Sequence, residues 1–327
     1  MNNRQIHLTA MKEAARAHQM LFVNLSRQVD PFEAINRAGV TVAVVPLESL
    51  SGAYIPALPE TDGRPGILVN AKHPRTRQRF TAAHELCHHL RDKDVVLDRE
   101  TEVLPRSAVI RNDREAVAEA FAGWFLMPRQ LVHRSMHDLG IGDSPSPTDV
   151  YRLSLDLGTS YLATAAHLFS LGLISRTRWR ELAKLAPKWI KEQLAVHGPG
   201  DSWGDVWHVS DQELGHRHIT PRPGDEIVID LDELPSSGYL WSTPAGRGFE
   251  LAEFSFEQQN ADDPSDLVVG GHGRRRAVLR ATEPGEYELA MEMRRPWLPA
   301  GEVIRRFSIQ LSVQPKLVGY QPLAEAV

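Results

Sequence analysis

The stretch RFTAAHELCHHL, residues 79–90, places three histidines, one glutamate and the only cysteine of the chain close together. On a helix, His84 and His88 lie on one face, about 40° apart around the axis and one turn apart along it. Two imidazole nitrogens in this arrangement can bind one Zn²⁺ ion, at about 2.0–2.1 Å each. Glu85 projects beside them and can take a proton from a metal-bound water. The stretch therefore predicts a helix with two metal ligands and one general base.

The alternative is a polar helix in which this spacing arose by chance, which happens in roughly a few per cent of chains of such composition. The apolar residues that flank the histidines and the strands predicted before them favour the metal site. His89 lies off the ligand face, where we expect a supporting or surface residue. Cys87 lies inside the motif, where we expect a small buried apolar residue rather than a redox sensor.

A catalytic zinc site needs a third protein ligand and an open fourth position. The stretch REAVAEAFAGWFLMP, residues 114–128, predicts a helix that can supply the ligand. One face of this helix is bulky and is expected in the core; it carries Val117, Phe121, Trp124 and Phe125. The other face is small apart from Glu115 and Glu119, so it can approach the motif helix closely. These two glutamates are one turn apart, and spacing alone does not choose between them.

The whole chain has the composition of a globular protein, with 327 residues, 42% hydrophobic and 24% charged. Its net charge of −5 excludes a general binder of polyanions. A single cysteine excludes an internal disulfide framework. The N-terminal stretch has charges throughout and no apolar core of a signal peptide, and no run approaches the roughly 18 apolar residues of a membrane span. We expect a soluble, cytoplasmic protein with no membrane partner.

Composition and periodicity divide the chain at two Gly- and Pro-rich breaks, 143–148 and 196–205. The predicted elements are a helical region at 9–38 with a cap at Asp30-Pro31, strands at 39–47, 52–58 and 66–71, helices at 74–91 and 112–127, and a helical region from 148 to about 196. After residue 205, apolar and polar residues alternate with period two, which predicts antiparallel strands of a sandwich. The predicted domains are 1–143, 144–200 and 201–327.

The middle domain contains a predicted turn at Gly158, Thr159 and Ser160 between two helices, a spacing that suits a helix-turn-helix unit. Residues 145–197 hold seven Lys or Arg against four Asp or Glu, which is a weak phosphate-binding signal. We interpret this domain first as a structural subdomain. DNA binding and substrate docking are the alternatives, and the cations that would carry DNA binding are Arg176, Arg178 and Arg180.

Three stretches of the last domain lie between predicted strands: LPSSGYLW at 234–241, VVGGHGRRR at 268–276 and MRRPWLP at 293–299. Alternate loops of a sandwich gather at one end. Their Gly, Pro and Trp residues could form a wedge that enters a groove of a protein partner. The plainer alternative is a set of ordinary turns with a half-buried Trp297.

The stretches RQRFTAAHELCHHL and EAVAEAFAGWFLMP, with the helix–strand lead-in before them, resemble the ImmA/IrrE family of metallopeptidases over about residues 10–135. The resemblance implies a zincin-like core and a gluzincin-like site that holds Zn²⁺, or Mn²⁺, on His84, His88 and a glutamate. Aligning Phe121-Ala122 and Met127-Pro128 with the family pattern places that glutamate at Glu115. Glu119 then occupies the position of a usual Asn or Asp, and it stays an alternative. The implied activity is cleavage of a protein, commonly a DNA-binding repressor, in response to stress or mobile-element signals.

The three later stretches resemble chagasin-type inhibitors of papain-like cysteine proteases over about residues 205–315. The family shows an NPTTGY loop, a GxGG loop and an RPW loop on an immunoglobulin-like sandwich. The matching positions are Pro235, Ser236, Ser237, Gly238 and Tyr239 for the first loop, Gly270, Gly271 and Gly273 for the second, and Arg295, Pro296 and Trp297 for the third. Leu234 replaces the asparagine of the first loop. The resemblance implies a domain that binds a cysteine protease, senses a partner, presents substrate or covers the active site.

Together these observations predict an α+β multidomain protein: a zincin-like metallopeptidase core, a helical segment of helix-turn-helix type, and an immunoglobulin-like β-sandwich. The predicted function is metal-dependent cleavage of a specific protein, with a C-terminal domain for protein recognition or regulation. One alternative is a cysteine protease inhibitor or sensor whose peptidase domain is regulatory or inactive. The other is a DNA-binding regulator.

Overall fold

The computed structural model describes residues 1–57, 63–91, 96–99, 113–199, 204–211, 217–258, 271–298 and 302–315. The chain forms two compact units. The first contains Met1–Ser135 and Leu153–Ala183, and the second contains Met136–Arg152 and Lys184–Lys316. Helices and strands are both present. Among the described residues, no helix has the length and apolar character needed to cross a bilayer.

The helices in chain order are α1 (Asn3–Met20), α2 (Pro31–Arg37), α3 (Arg75–Arg91), α4 (Asp113–Leu126), α5 (Arg129–Asp138), α6 (Pro147–Leu157), α7 (Tyr161–Ser170), α8 (Arg176–Leu182) and α9 (Pro187–Leu194). The first four strands are β1 (Thr41–Val45), β2 (Leu50–Ile55), β3 (Gly66–Asn70) and β4 (Val96–Arg99). They form one sheet in the order β1-β3-β2-β4. Strands β1 and β3 are parallel, and the other neighbours are antiparallel. Helix α3 contacts both β2 and β3, so the sheet supports the helix that carries the histidine motif.

The helical region predicted at 9–38, with its cap at Asp30-Pro31, contains the two helices α1 and α2. Helix α1 ends at Met20, and α2 begins at Pro31. The Asp30 side chain accepts hydrogen bonds from the backbone N–H groups of Phe32 and Glu33, as the predicted cap requires. The proline disfavours helical backbone at the residue before it, so the chain cannot continue as one helix.

The described residues of the second unit form the strands β5 (Val206–Ser210), β6 (Arg217–Ile219), β7 (Glu226–Glu233), β8 (Leu240–Trp241), β9 (Phe249–Gln258), β10 (Gly273–Ala281), β11 (Gly285–Arg294) and β12 (Arg305–Val313). They form two four-stranded sheets, β5-β7-β10-β9 and β6-β12-β11-β8. Apolar residues of both sheets are fully buried, as Ile229 and Leu279 are in the first and Leu289 and Leu311 are in the second.

The predicted antiparallel pairing holds for the long strands of this region and does not extend to two short ones. Strands β5 and β7 are parallel, and so are β6 and β12. The reason is connectivity, because β6 belongs to the other sheet and lies between β5 and β7 in the chain. The chain therefore leaves the first sheet after β5 and re-enters it at β7 in the same direction. The long pairs β7–β10, β9–β10 and β11–β12 are antiparallel.

Candidate metal centre and partner-binding loops

Helix α3 carries His84, Glu85 and His88 in its buried part. Glu85 and His88 are fully buried, and His84 is 7% exposed. The Nε2 atoms of the two histidines are 3.2 Å apart, so both rings are turned toward the same point. A pair of imidazoles in this position needs a proton or a cation between them, because two nitrogen lone pairs repel each other.

Glu115, in the first turn of α4, completes the group. Its carboxylate oxygens lie 3.3 Å from His84 Nε2 and 3.5 Å from His88 Nε2. Tetrahedral zinc with ligand bonds of about 2.0–2.1 Å requires ligand atoms about 3.3 Å from one another. The two nitrogens, 3.2 Å apart, are close to that separation, and each faces a different oxygen of Glu115, Oε2 for His84 and Oε1 for His88. Two imidazole nitrogens and a carboxylate are ligands that Zn²⁺ accepts. Among the described residues, these three form the one group of His, Cys, Asp and Glu close enough to hold a metal ion.

The electrostatics of the group favour an ionised carboxylate at Glu115. Hydrogen bonding to His84 and then to His88 lowers the pKa of Glu115 well below its usual range, although partial burial opposes this. An ionised carboxylate is the form that binds a metal. The side chain is 43% exposed, while His88 is closed off, so the group opens to solvent on its glutamate side.

Glu119, the alternative ligand, lies elsewhere. It is exposed, and it is not part of the close group. Its charge acts on His7 of α1, where it raises a pKa that burial lowers. Because α1 and α4 are in extensive contact, this places Glu119 on the α1 side of its helix. The structure therefore brings together His84, His88 and Glu115, and leaves Glu119 apart.

Glu85 is held against strand β2 at Gly52. A Cβ atom at Gly52 would lie 3.3 Å from Glu85 Oε1 and 2.9 Å from the carbonyl oxygen of Leu68, and it would also collide with Thr81. The absence of a side chain lets the strand approach the motif helix closely. Gly52 was not predicted from the sequence, because its contact with Glu85 depends on how β2 packs against α3.

Arg79, at the start of the quoted stretch, was also missed as an anchor. Its side chain is buried and donates hydrogen bonds to the carbonyl oxygens of Gly158 and Val29. Burial lowers its pKa to about 10, and it stays protonated near neutral pH. A buried charge of this kind is tolerated only with such partners. It fixes α3 to the turn after α6 and to the segment before α2.

The neighbouring residues of the motif lie as their positions suggested. Cys87 is fully buried. His89 is half-buried on another face of α3, where its Nδ1 atom lies 3.2 Å from the Tyr54 hydroxyl. Tyr54 belongs to β2, so His89 links the motif helix to the sheet.

In the second unit, two of the three candidate loops lie side by side. Gly238 has a left-handed backbone, and a Cβ there would lie 3.0 Å from the Trp297 ring. The Arg295 guanidinium lies over the Tyr239 ring, 4.7 Å from its centroid. Trp297 is 63% exposed, not half-buried as in the plainer interpretation.

The first loop is closed by its own hydrogen bonds. The Ser237 hydroxyl donates to the carbonyl of Leu234 at 2.6 Å and accepts from the Tyr239 N–H at 3.2 Å. Below the loop, the buried Glu233 carboxylate accepts from the Trp241 N–H at 2.8 Å and pairs with Arg275. These bonds order a loop in which Leu234 stands where the resemblance has asparagine.

In the second stretch, residues 268–270, and so Gly270, lie outside the described residues. Gly273 is described and buried at the start of β10. A Cβ at Gly273 would collide with the backbone of Glu257 and the ring of Phe256 on β9. This glycine therefore serves close strand pairing. Gly271 is half-buried beside it.

Comparisons with known proteins match both parts of the chain. Residues 35–168 match the model of the IrrE N-terminal-like domain, Peptidase_M78, and residues 220–311 match that of the chagasin family peptidase inhibitors, I42. No curated protein matches the chain.

Similar solved structures include three small proteins. The cysteine protease inhibitor EhICP2 from Entamoeba histolytica is 22% identical, with 33% of this chain and 96% of that chain covered and a TM-score of 0.29. Amebosin is 22% identical, with 34% and 100% covered and a TM-score of 0.28. PbICP-C, solved in complex with falcipain-2, is 20% identical, with 34% and 100% covered and a TM-score of 0.23. The chain thus contains a segment similar to the IrrE N-terminal-like domain, Peptidase_M78, followed by a segment similar to the chagasin family of peptidase inhibitors.

Proposed function

We propose that this protein is a metal-dependent endopeptidase that cleaves a specific protein. The observation that carries the proposal is the group of His84, His88 and Glu115, whose ligand atoms all lie within 4.8 Å of one another and are of the types that bind Zn²⁺. The buried Glu85 lies between the two histidines in sequence. The IrrE N-terminal-like match supports the same assignment.

In this proposal His84, His88 and Glu115 hold Zn²⁺, with Mn²⁺ as the other candidate. A bound Zn²⁺ ion would polarise the scissile carbonyl and lower the pKa of a bound water toward about 7. Glu85 accepts the proton of the attacking water and then delivers it to the leaving amine. Glu85 is fully buried and next to His84 in the helix, so it is shielded from bulk water.

The proposed substrate class is a regulator, such as a DNA-binding repressor, cleaved in a stress or mobile-element response in the cytoplasm. The decisive experiment expresses the wild type and Glu85→Gln in source cells under stress and compares new protein N-termini by mass spectrometry. We expect termini that occur only with the wild type and that name the substrate. Glu119→Gln is the matched control, and it should give the wild-type pattern. If the wild type and Glu85→Gln gave identical N-termini under every stress, the proposed peptidase activity would be rejected.

For the second unit we propose recognition of a protein partner through the first and third loops, with a papain-like cysteine protease as the first candidate. The exposed Trp297 beside Gly238, together with the ordered first loop, supports this. Papain is a suitable probe. Trp297→Ala should weaken its inhibition at least tenfold, because buried tryptophans dominate interface energies. Leu251→Ala, at a residue 42% exposed on β9, should change little. Failure of the wild type to bind papain would leave a different protein partner for these loops.

DNA binding by the helical segment is the weaker candidate. Helix α7 would be the recognition helix of a helix-turn-helix unit, and its sequence YLATAAHLFS contains no lysine or arginine. Its exposed large side chains are Leu162 and Phe169. Phosphate contacts need cations, so we favour a structural role for these helices.

A further inference from the structure

The outer face of α1 exposes large apolar side chains. Leu8 is 47% exposed and Met11 is 38% exposed. With Ala15, they fall within about 60° around the helix axis and form one stripe. The opposite face carries Ala10, Ala14 and Ala17, which are buried as the helix packs on α4. The stripe is therefore not the face that attaches α1 to its own unit.

Three cations of α1 lie along this stripe: Arg4 in line with it, and Lys12 and Arg16 on one side of it. Arg4, Lys12 and Arg16 are exposed, and none of them makes an ion pair among the described residues. The only acidic residue of α1 is Glu13, which is half-buried on another side. A local concentration of positive charge is notable in a chain whose net charge is −5.

Phe22, just beyond the end of α1, is a further exposed apolar residue. Its φ of +49° is left-handed, and its side chain is 82% exposed. The Val23 N–H bonds to the carbonyl of His18, which makes Phe22 the residue just past the helix end, where glycine is the usual choice. Arg37 fixes this conformation by donating to the carbonyl oxygens of Leu21 and Phe22. The strained backbone holds the Phe22 side chain in solvent, where it does not contribute to the core. Such strain indicates that Phe22 contacts another molecule.

We propose that the outer face of α1, from Leu8 to Phe22, docks an acidic amphipathic helix of a protein partner. The face is about 20 Å long, which matches a partner helix of three to four turns. Its apolar stripe requires an apolar partner face, and its cations require carboxylates beside that face. Nucleic acid would satisfy the cations but leave the stripe exposed. This docking goes beyond the proposed peptidase activity and does not depend on it.

The test uses the full chain with Glu85→Gln, so that the probe cannot be cleaved. The probe is a fluorescent synthetic helix of about 18 residues, with leucines at the i, i+3, i+4 and i+7 positions and glutamates elsewhere. Fluorescence anisotropy should show binding, and Lys12→Glu with Arg16→Glu should weaken it at least tenfold. The matched control is Arg176→Glu with Arg180→Glu, which reverses the charges of two exposed cations with the same spacing on α8. It should leave the affinity for the probe unchanged.

Phe22→Gly separates docking from folding. Glycine suits the left-handed backbone, so the melting temperature should stay the same or rise, while the probe affinity falls at least tenfold. Equal binding of a scrambled peptide of the same composition would overturn the proposal. So would binding of vesicles that contain phosphatidylserine in the absence of probe binding, or a self-association that Lys12→Glu with Arg16→Glu abolishes.

Discussion

Glu115 and Glu119 lie one turn apart on α4 in different surroundings. Glu115 faces two imidazoles, and Glu119 lies on the side of α1. We therefore expect Glu115→Gln to lower the Zn²⁺ affinity of the full chain more than about 100-fold, since even residues that only support metal ligands change affinity 10- to 100-fold. Glu119→Gln should bind zinc like the wild type. Competition titration with a zinc indicator measures both, and an opposite ranking would transfer the ligand role to Glu119.

The close contact of Gly52 with Glu85 can be tested by adding a single methyl group. In Gly52→Ala the new methyl group would meet Leu68 on the sheet and Glu85 on α3. We expect the free energy of unfolding to fall by about 1–3 kcal/mol through overpacking. Peptidase activity should fall by up to about 100-fold, because a displaced base loses its alignment with the substrate.

The control for Gly52→Ala is Gly66→Ala in the same sheet. There a Cβ would meet only the Thr41 carbonyl oxygen, at an ordinary distance of 3.8 Å. Its stability and activity should stay near those of the wild type. Zinc affinity should survive in both variants, since neither glycine contacts a proposed ligand. If Gly52→Ala kept full activity, the close approach of β2 would have no role in positioning Glu85.

At this scale, the sequence predicted what depends on local spacing. His84 and His88 are four residues apart on one helix, so their convergence follows from helix geometry alone. The choice between Glu115 and Glu119 depended on the orientation of α4 relative to α3, which spacing does not determine. Gly52 and Arg79 were missed because their partners lie far away in the chain, at Glu85 and at Gly158.

Among the elements, α4 stands out because two buried histidines hold its C-terminal end. His18 Nε2 bonds to the Phe125 carbonyl at 2.9 Å, and His167 Nε2 bonds to the Met127 carbonyl at 2.8 Å. Burial lowers the pKa of both rings, that of His167 to about 4. Both rings are therefore neutral in the folded protein near neutral pH, and each donates its one N–H to a carbonyl.

This arrangement predicts acid sensitivity between pH 6.5 and 4. The unfolded chain takes up a proton at His167 below about pH 6.5, while the folded chain does so only near pH 4, so stability falls as the pH falls. The contribution of His167 at pH 4.5 is about 2–3 kcal/mol. The test measures the free energy of unfolding in urea at pH 7.0 and at pH 4.5. The decrease between these pH values should be smaller by this amount in His167→Gln than in the wild type. The glutamine keeps a donor for the Met127 carbonyl. The same loss in both proteins would show that His167 titrates normally.

Element boundaries followed the sequence where local chemistry determines them. The Asp30-Pro31 cap starts α2, and the serine at position 160 caps α7 after the Gly158 turn. Pairing direction was not predictable in the same way. Strands β5 and β6 are short, and their parallel partners β7 and β12 are chosen by how the chain alternates between two sheets.

For the whole molecule, the division into two compact units has a consequence for stability. The proposed metal ligands, His84, His88 and Glu115, all belong to the first unit. The chagasin-family match, residues 220–311, belongs to the second. A metal that binds one folded unit stabilises that unit alone, by an amount set by its concentration relative to the dissociation constant.

We therefore expect calorimetry of the full chain to show two unfolding transitions. Zinc at about 100 times its dissociation constant should stabilise one of them by about 2.7 kcal/mol, and a chelator should reverse the shift. In His84→Ala with Glu115→Ala, zinc should move neither transition, whereas Trp297→Ala should keep the zinc response, since that residue lies in the other unit. A single transition that zinc shifts would mean that the two units unfold as one. A shift that persists without His84 and Glu115 would place the metal elsewhere.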